Sequence, residues 1–152
     1  THLGFYQTKI ITLFMGRIIR NILLAFLGGF FLASFLFIVL NAGHLKNPFP
    51  PTLFGNLLFF LIFVGFIEEG AKFLAIKWGL GQYPYSYLLG LGFGAGETIV
   101  RGIPFIPWRI GAMGLHVITA GIIGYSIKKN KPVLGLVIAI LFHTGFNLIV
   151  SN

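Results

Sequence analysis

Residues 57–76 read LLFFLIFVGFIEEGAKFLAI, twenty positions in which only Glu68, Glu69 and Lys72 are charged. A stretch of roughly 20 mostly apolar residues matches the hydrocarbon thickness of a bilayer. In lipid every backbone N–H and C=O must be paired within the protein, so such a stretch is read as a helix. Its charged residues are the anomaly. An ionisable group at that depth is costly, faces the protein interior and marks function more often than not.

The rest of the 152-residue chain extends this reading, with 57% hydrophobic and 9% charged residues and a mean hydropathy of +0.93. That composition lies outside the soluble globular range and identifies an integral membrane protein. Five spans are predicted, near 18–40, 53–77, 86–101, 110–127 and 132–150, giving an all-α polytopic helical bundle of one membrane-embedded domain, 1–152. NAGHLKNPFPP (41–51) breaks the chain between the first two with prolines and asparagines. The third span is short, bounded by QYPYS (82–86) and RGIPFIPWR (101–109). Residues 1–17 fit an interfacial helix or the continuation of a preceding segment. The apolar stretches are too many and too long for a secretory signal.

Charge sets an expected orientation. Five spans place Lys9, Arg17, Arg20, Lys77, Lys128, Lys129 and Lys131 on one side, against Lys46, Arg101 and Arg109 on the other. By the positive-inside rule the N-terminus is cytoplasmic. The net charge of +8 follows from loops and helix ends and forms no basic stripe, so nucleic acid is not an expected partner. Without cysteine, disulfides and thiolate chemistry are excluded.

All three acidic residues, Glu68, Glu69 and Glu97, lie in apolar spans. Counted from the expected cytoplasmic ends, Glu68 is 10 residues in from 78, Glu97 is 11 from 86, His116 is 11 from 127 and His143 is 11 from 132. A constant rise per residue makes equal counts equal depths, so four spans meet in one polar layer. Glu68 and Lys72 at i, i+4 can pair on one face, with Glu69 three before the same lysine, and His143 and Asn147 share a stripe at the i, i+4 spacing, as do Phe93 and Glu97. Glu68 and Glu69 point about 100° apart and hold different roles. The glycines at 90, 92, 94 and 96 let neighbouring backbones approach, making the third span central. The Phe residues, 18 in all, belong to core packing or the lipid face, while Tyr83, Tyr85, Tyr87 and Trp108 belong to interfacial belts.

Two histidines with two or three carboxylates suit activation of water, by a glutamate general base with His or Asn donors for an oxyanion or by Zn²⁺ held through Glu68, Glu97, His116 and His143. HExxH is absent, and no Asp exists to build a serine triad. From the residues alone the site is hydrolytic or ion-handling, and the same groups would serve a proton relay.

EEGAK (68–72), FGAGE (93–97), His116 and HTGFN (143–147), in that order, resemble the EExxK, FxxxE and HxxxN motifs of PrsW-type intramembrane proteases. These are similar in turn to the CAAX prenyl endopeptidase and bacteriocin-immunity superfamily, whose second motif is usually FxxxH. Glu97 places the resemblance on the PrsW side. It covers about residues 65–150, and residues 1–60 match nothing beyond hydropathy. It implies an endopeptidase of a prokaryotic cell membrane that cuts a membrane-anchored protein substrate. Glu68 and Glu69 would supply the water-activating base and its partner. Glu97, His116 and His143 would complete the site, Asn147 would assist the oxyanion, and Lys72 and Phe93 would support it. The resemblance leaves both a glutamate-activated water and a bound zinc; the expectation taken here is the glutamate, with no required cofactor. An ion or proton carrier and a non-catalytic scaffold are the alternatives from other classes.

Overall fold

The computed structural model describes the backbone of residues 2–42, 49, 52–101 and 107–151, and the side chains of 12–39, 49, 52–101 and 107–150. The chain is an all-α helical bundle: α1 (His2–Ala42), α2 (Leu53–Phe59), a π-helical stretch (Phe60–Phe66), α3 (Ile67–Lys77), α4 (Ser86–Val100), α5 (Pro107–Lys128) and α6 (Pro132–Ser151). Thr12–Val39, Pro107–Lys128 and Pro132–Val150 are long and apolar enough to cross a membrane, and they mark a membrane protein. The outer surface agrees, for Phe31, Phe35, Leu53, Val133 and Ile149 stand exposed where lipid would meet them.

The expected elements fall on these helices, with local differences. Helix α1 begins at His2 without a break near residue 17, so residues 2–17 continue the same helix, although side chains before 12 are outside the described residues. Most of the expected 41–51 loop and residues 102–106 also lie outside them. The 53–77 segment is helical throughout but passes through seven π-helical residues, which the apolar pattern did not announce. Gly65 sits against Thr144 and Ile140 of α6 there, and wide turns of this kind recur beside functional groups.

Local chemistry explains the boundaries. The Thr52 hydroxyl caps α2 by accepting from the Gly55 N–H at 3.1 Å. Past Lys77 the chain reverses through Gly79 at φ 97°, whose N–H bonds back to the Ile76 carbonyl, the left-handed ending that glycine takes without strain. Pro132 opens α6 at the first helical position, where its missing N–H is not needed.

Helix α4 lies between α1 and α5, as its glycines predict. A methyl on Gly92 would run into the Phe26 carbonyl of α1, and one on Gly90 into the His116 carbonyl of α5. These contacts run parallel along α1 and antiparallel along α5. Helix α6 returns along α5, with Gly135 against Ser126 at one end and Gly111 against Phe146 at the other. The apolar core is small, built on Ala25, Ala75, Ile76, Leu89, Ala120, Ile123 and Ala139. Beside it lies a polar layer.

Candidate active site

Helices α3, α4, α5 and α6 each bring ionisable side chains to one cluster, as equal depth along the spans requires. Glu68, Glu69, Lys72, His116 and His143 are all buried, Glu69 and Lys72 completely, and the Glu97 side chain is 12% exposed.

Lys72 organises it. Its ammonium donates to Glu69 Oε1 at 2.6 Å, to His116 Nδ1 at 2.9 Å and to Thr119 Oγ1 at 3.1 Å. An ammonium has three protons, and all are used. Of the two glutamates within its reach, the lysine neutralises Glu69, three residues before it, and leaves Glu68 for another task. Thr119 received no role from the sequence, yet its hydroxyl takes the third proton and itself donates to the His116 carbonyl at 3.3 Å. Its place three residues after His116, on one helix face, was the available signal.

These bonds fix both imidazole tautomers. Because Lys72 donates to His116 Nδ1, the ring proton of neutral His116 is on Nε2, which donates to Glu97 Oε2 at 2.7 Å. His143 is the reverse case. The Glu69 carboxylate has no proton to give, so His143 Nδ1–H donates to Glu69 Oε1 at 2.6 Å, and in the neutral ring Nε2 carries the lone pair. That lone pair lies 3.7 Å from Glu68 Oε2, beyond hydrogen-bond distance. The Glu68 oxygen is buried and has no hydrogen-bond partner. The two rings meet edge to face with centroids 5.1 Å apart, and Phe93 closes the far side of His116 at 5.0 Å while Lys72 Nζ stands 4.8 Å from the Phe93 ring centroid.

Two cavities converge on these groups. A larger one, about 530 Å³, runs between α1, the π-helical stretch and α4, walled by Leu36, Phe59, Phe60, Phe63 and Phe93. A smaller one, about 150 Å³, reaches α5 and α6 and is lined by His116, His143, Trp108 and Arg109 among others. Glu68, Glu97, Arg101 and Asn147 line both. Asn147 thus shares the site with His143, as their spacing predicts.

The sequence assigns Arg101 and Arg109 only to loops and helix ends, with no partner. Instead Arg101 Nη2 binds Glu97 Oε1 at 2.7 Å and Arg109 Nη1 lies 3.6 Å from the same oxygen. The four-residue step from Glu97 to Arg101 was a readable signal; the return of Arg109 from the next helix was not.

Glu68, His116 and His143 offer ligand atoms within 4.8 Å of one another, and three protein donors with one open position make a catalytic zinc set. Glu68 and His143 Nε2 fit, the latter backed by Glu69 as a metal-bound imidazole is usually backed by a carboxylate. His116 fits poorly: Lys72 occupies Nδ1 and Glu97 occupies Nε2. Glu97 itself is turned to His116 and the two arginines. Comparison with protein families, curated proteins and solved structures finds no match.

Proposed function

We propose that the chain is a multi-pass intramembrane endopeptidase, N-terminus on the cytoplasmic side, that hydrolyses a peptide bond of a membrane-anchored substrate with a glutamate-activated water. One observation carries this: a buried Glu68 oxygen without a partner faces Nε2 of His143 where two cavities join. Buried polar atoms in native proteins have partners, and one aimed into a polar cavity is placed to receive a water or a substrate group.

In this reading a water donates one proton to Glu68 and the other to His143 Nε2. Glu68 removes its proton as the water oxygen bonds to the carbonyl carbon, and the carbonyl electrons move onto oxygen, where the Asn147 amide donates. Collapse breaks the C–N bond, and the proton held by Glu68 passes to the leaving amine. Glu69 holds His143 in the tautomer that accepts. The Phe-lined cavity suits an apolar stretch of substrate, and the motif order Glu68, Glu69, Lys72, Glu97, His143, Asn147 supports the same class. The saturated nitrogens of His116 favour the metal-free base over zinc.

The test is reconstitution of the purified chain in lipid vesicles with single-span peptides, reading cleavage by mass spectrometry. Glu68→Gln should lower the rate about 10²–10⁴-fold, the usual share of a general base. Undiminished cleavage by that variant would refute the reading, as would sustained Glu68-dependent proton flux without any cleavage.

A further inference from the structure

We propose that Arg101 and Arg109 form an anion seat at the outer end of the smaller cavity, where they bind the carboxylate of an aspartate or glutamate next to the bond cut. The inference rests on the hydrolytic reading for what it calls substrate.

Glu97 serves two arginines. Two guanidinium groups share one carboxylate oxygen, while Glu69 is matched by Lys72 and His116 is held neutral between a lysine and a carboxylate. The third acid, Glu68, lines the same cavity but pairs with neither arginine. Arg109, largely shielded from water, therefore has only a 3.6 Å contact to an oxygen that Arg101 already holds, and a shielded cation so weakly paired is placed to take an anionic partner. Arg109 supplies the free donor: its side chain is 13% exposed and its Nε is buried without a partner. The Nε edge of a guanidinium matches a carboxylate with two parallel N–H bonds. Arg101 is held in place by Glu97 and by the Phe37 ring, 5.2 Å from Cζ.

Position within the cavity sets what the anion is attached to. Glu68, His116 and His143 form the buried wall, whereas Arg101 and Trp108 are exposed and Arg109 lies between. A peptide bond held at the inner wall therefore places a neighbouring side chain against the arginines. The volume of about 150 Å³ is below the range of about 300–1,000 Å³ for drug-sized ligands, which limits the occupant to a peptide bond and one short side chain beside it. Arg109 lies in the first turn of the 22-residue α5, whose positive dipole end adds to the attraction.

The experiment uses the full chain with Glu68→Gln, which binds without turnover, and with Trp78→Phe, which leaves Trp108 as the sole tryptophan. Reconstituted in phosphatidylcholine nanodiscs, it is titrated with N-acetyl-Leu-Leu-Asp-amide, the Asn counterpart, and the Asn peptide with a free C-terminus, reading Trp108 fluorescence. The Asp peptide should bind at least about tenfold tighter than the Asn amide. Arg109→Gln should weaken the Asp peptide by at least about tenfold more than the Asn peptide, and Arg109→Lys should restore part of that difference. Equal binding of the Asp and Asn amides would overturn the seat. So would an Arg109→Gln effect of equal size on both, which is a structural effect. Preference for the free C-terminus over the Asp side chain would overturn the assignment to a side chain, and inorganic phosphate competing as well as the Asp peptide would overturn carboxylate selectivity. Because no step requires cleavage, failure of the seat and failure of the protease reading are separately visible.

Discussion

Lys72 Nζ lies 2.9 Å from His116 Nδ1, so a buried ammonium and not a water sets the tautomer of a histidine forty-four residues away. The same ammonium neutralises Glu69. Lys72→Met should destabilise the bundle by about 3–5 kcal/mol, the usual result of stranding one partner of a buried pair. Glu69→Gln combined with Lys72→Met should recover part of the loss, since no lone charge is left. Thermal unfolding in detergent micelles measures both; an unchanged melting temperature in Lys72→Met would contradict the arrangement.

Thr119 provides a gentler probe. Thr119→Val keeps the shape but leaves one ammonium proton buried without an acceptor, at about 1–3 kcal/mol. Thr119→Ser should be close to wild type, and the comparison separates the hydroxyl from packing.

The stripe of glycines makes a prediction with its own control. Gly92→Ala should destabilise by at least about 1–3 kcal/mol because its methyl meets the Phe26 carbonyl, a backbone atom that cannot turn aside. Gly114→Ala meets nothing within 4 Å and should stabilise by about 0.5–1 kcal/mol through helix propensity. Opposite shifts in melting temperature are expected from the same substitution on two helices of one bundle.

Metal content separates the two hydrolytic mechanisms. With both His116 nitrogens engaged, the purified chain should carry no stoichiometric zinc, and cleavage should survive a chelator. Stoichiometric zinc by elemental analysis, lost on His143→Ala, would replace the glutamate base with a metal-bound water.

Orientation is directly testable because the chain has no cysteine. Gln82 and Asn130 lie in turns brought to one end of the bundle, where Tyr83 packs on Tyr125 with ring centroids 5.7 Å apart. Gln82→Cys and Asn130→Cys should react with a membrane-impermeant maleimide from the cytoplasmic side only, and Thr52→Cys from the other. The reverse pattern would invert the proposed topology.

Much of this was legible in the chain, and what was not has physical reasons. Hydropathy revealed the helices because lipid leaves the backbone so few options. Depth counting brought Glu68, Glu97, His116 and His143 together because the rise per residue of a helix is nearly constant. Spacing alone could not decide between Glu68 and Glu69 as the partner of Lys72, since i, i+3 and i, i+4 both lie within reach. The choice was made by α5, whose His116 and Thr119 draw the ammonium to one side. The π-helical stretch had no local signal, for Gly65 meets Thr144 only after α6 has packed. The contact of Arg109 with Glu97 has no sequence signal, because it depends on how the chain between α4 and α5 returns.

The three bonds of Lys72 also bear on how the protein is made. Glu69 leaves the ribosome with it, but His116 and Thr119 follow forty-four and forty-seven residues later. Until α5 is synthesised, two of the three acceptors that hold the ammonium in the fold do not yet exist, so α3 cannot complete its withdrawal from water when its own sequence is finished. The helix that carries Glu68 and Glu69 is translated early and settled late, and the nascent bundle must shelter it in between.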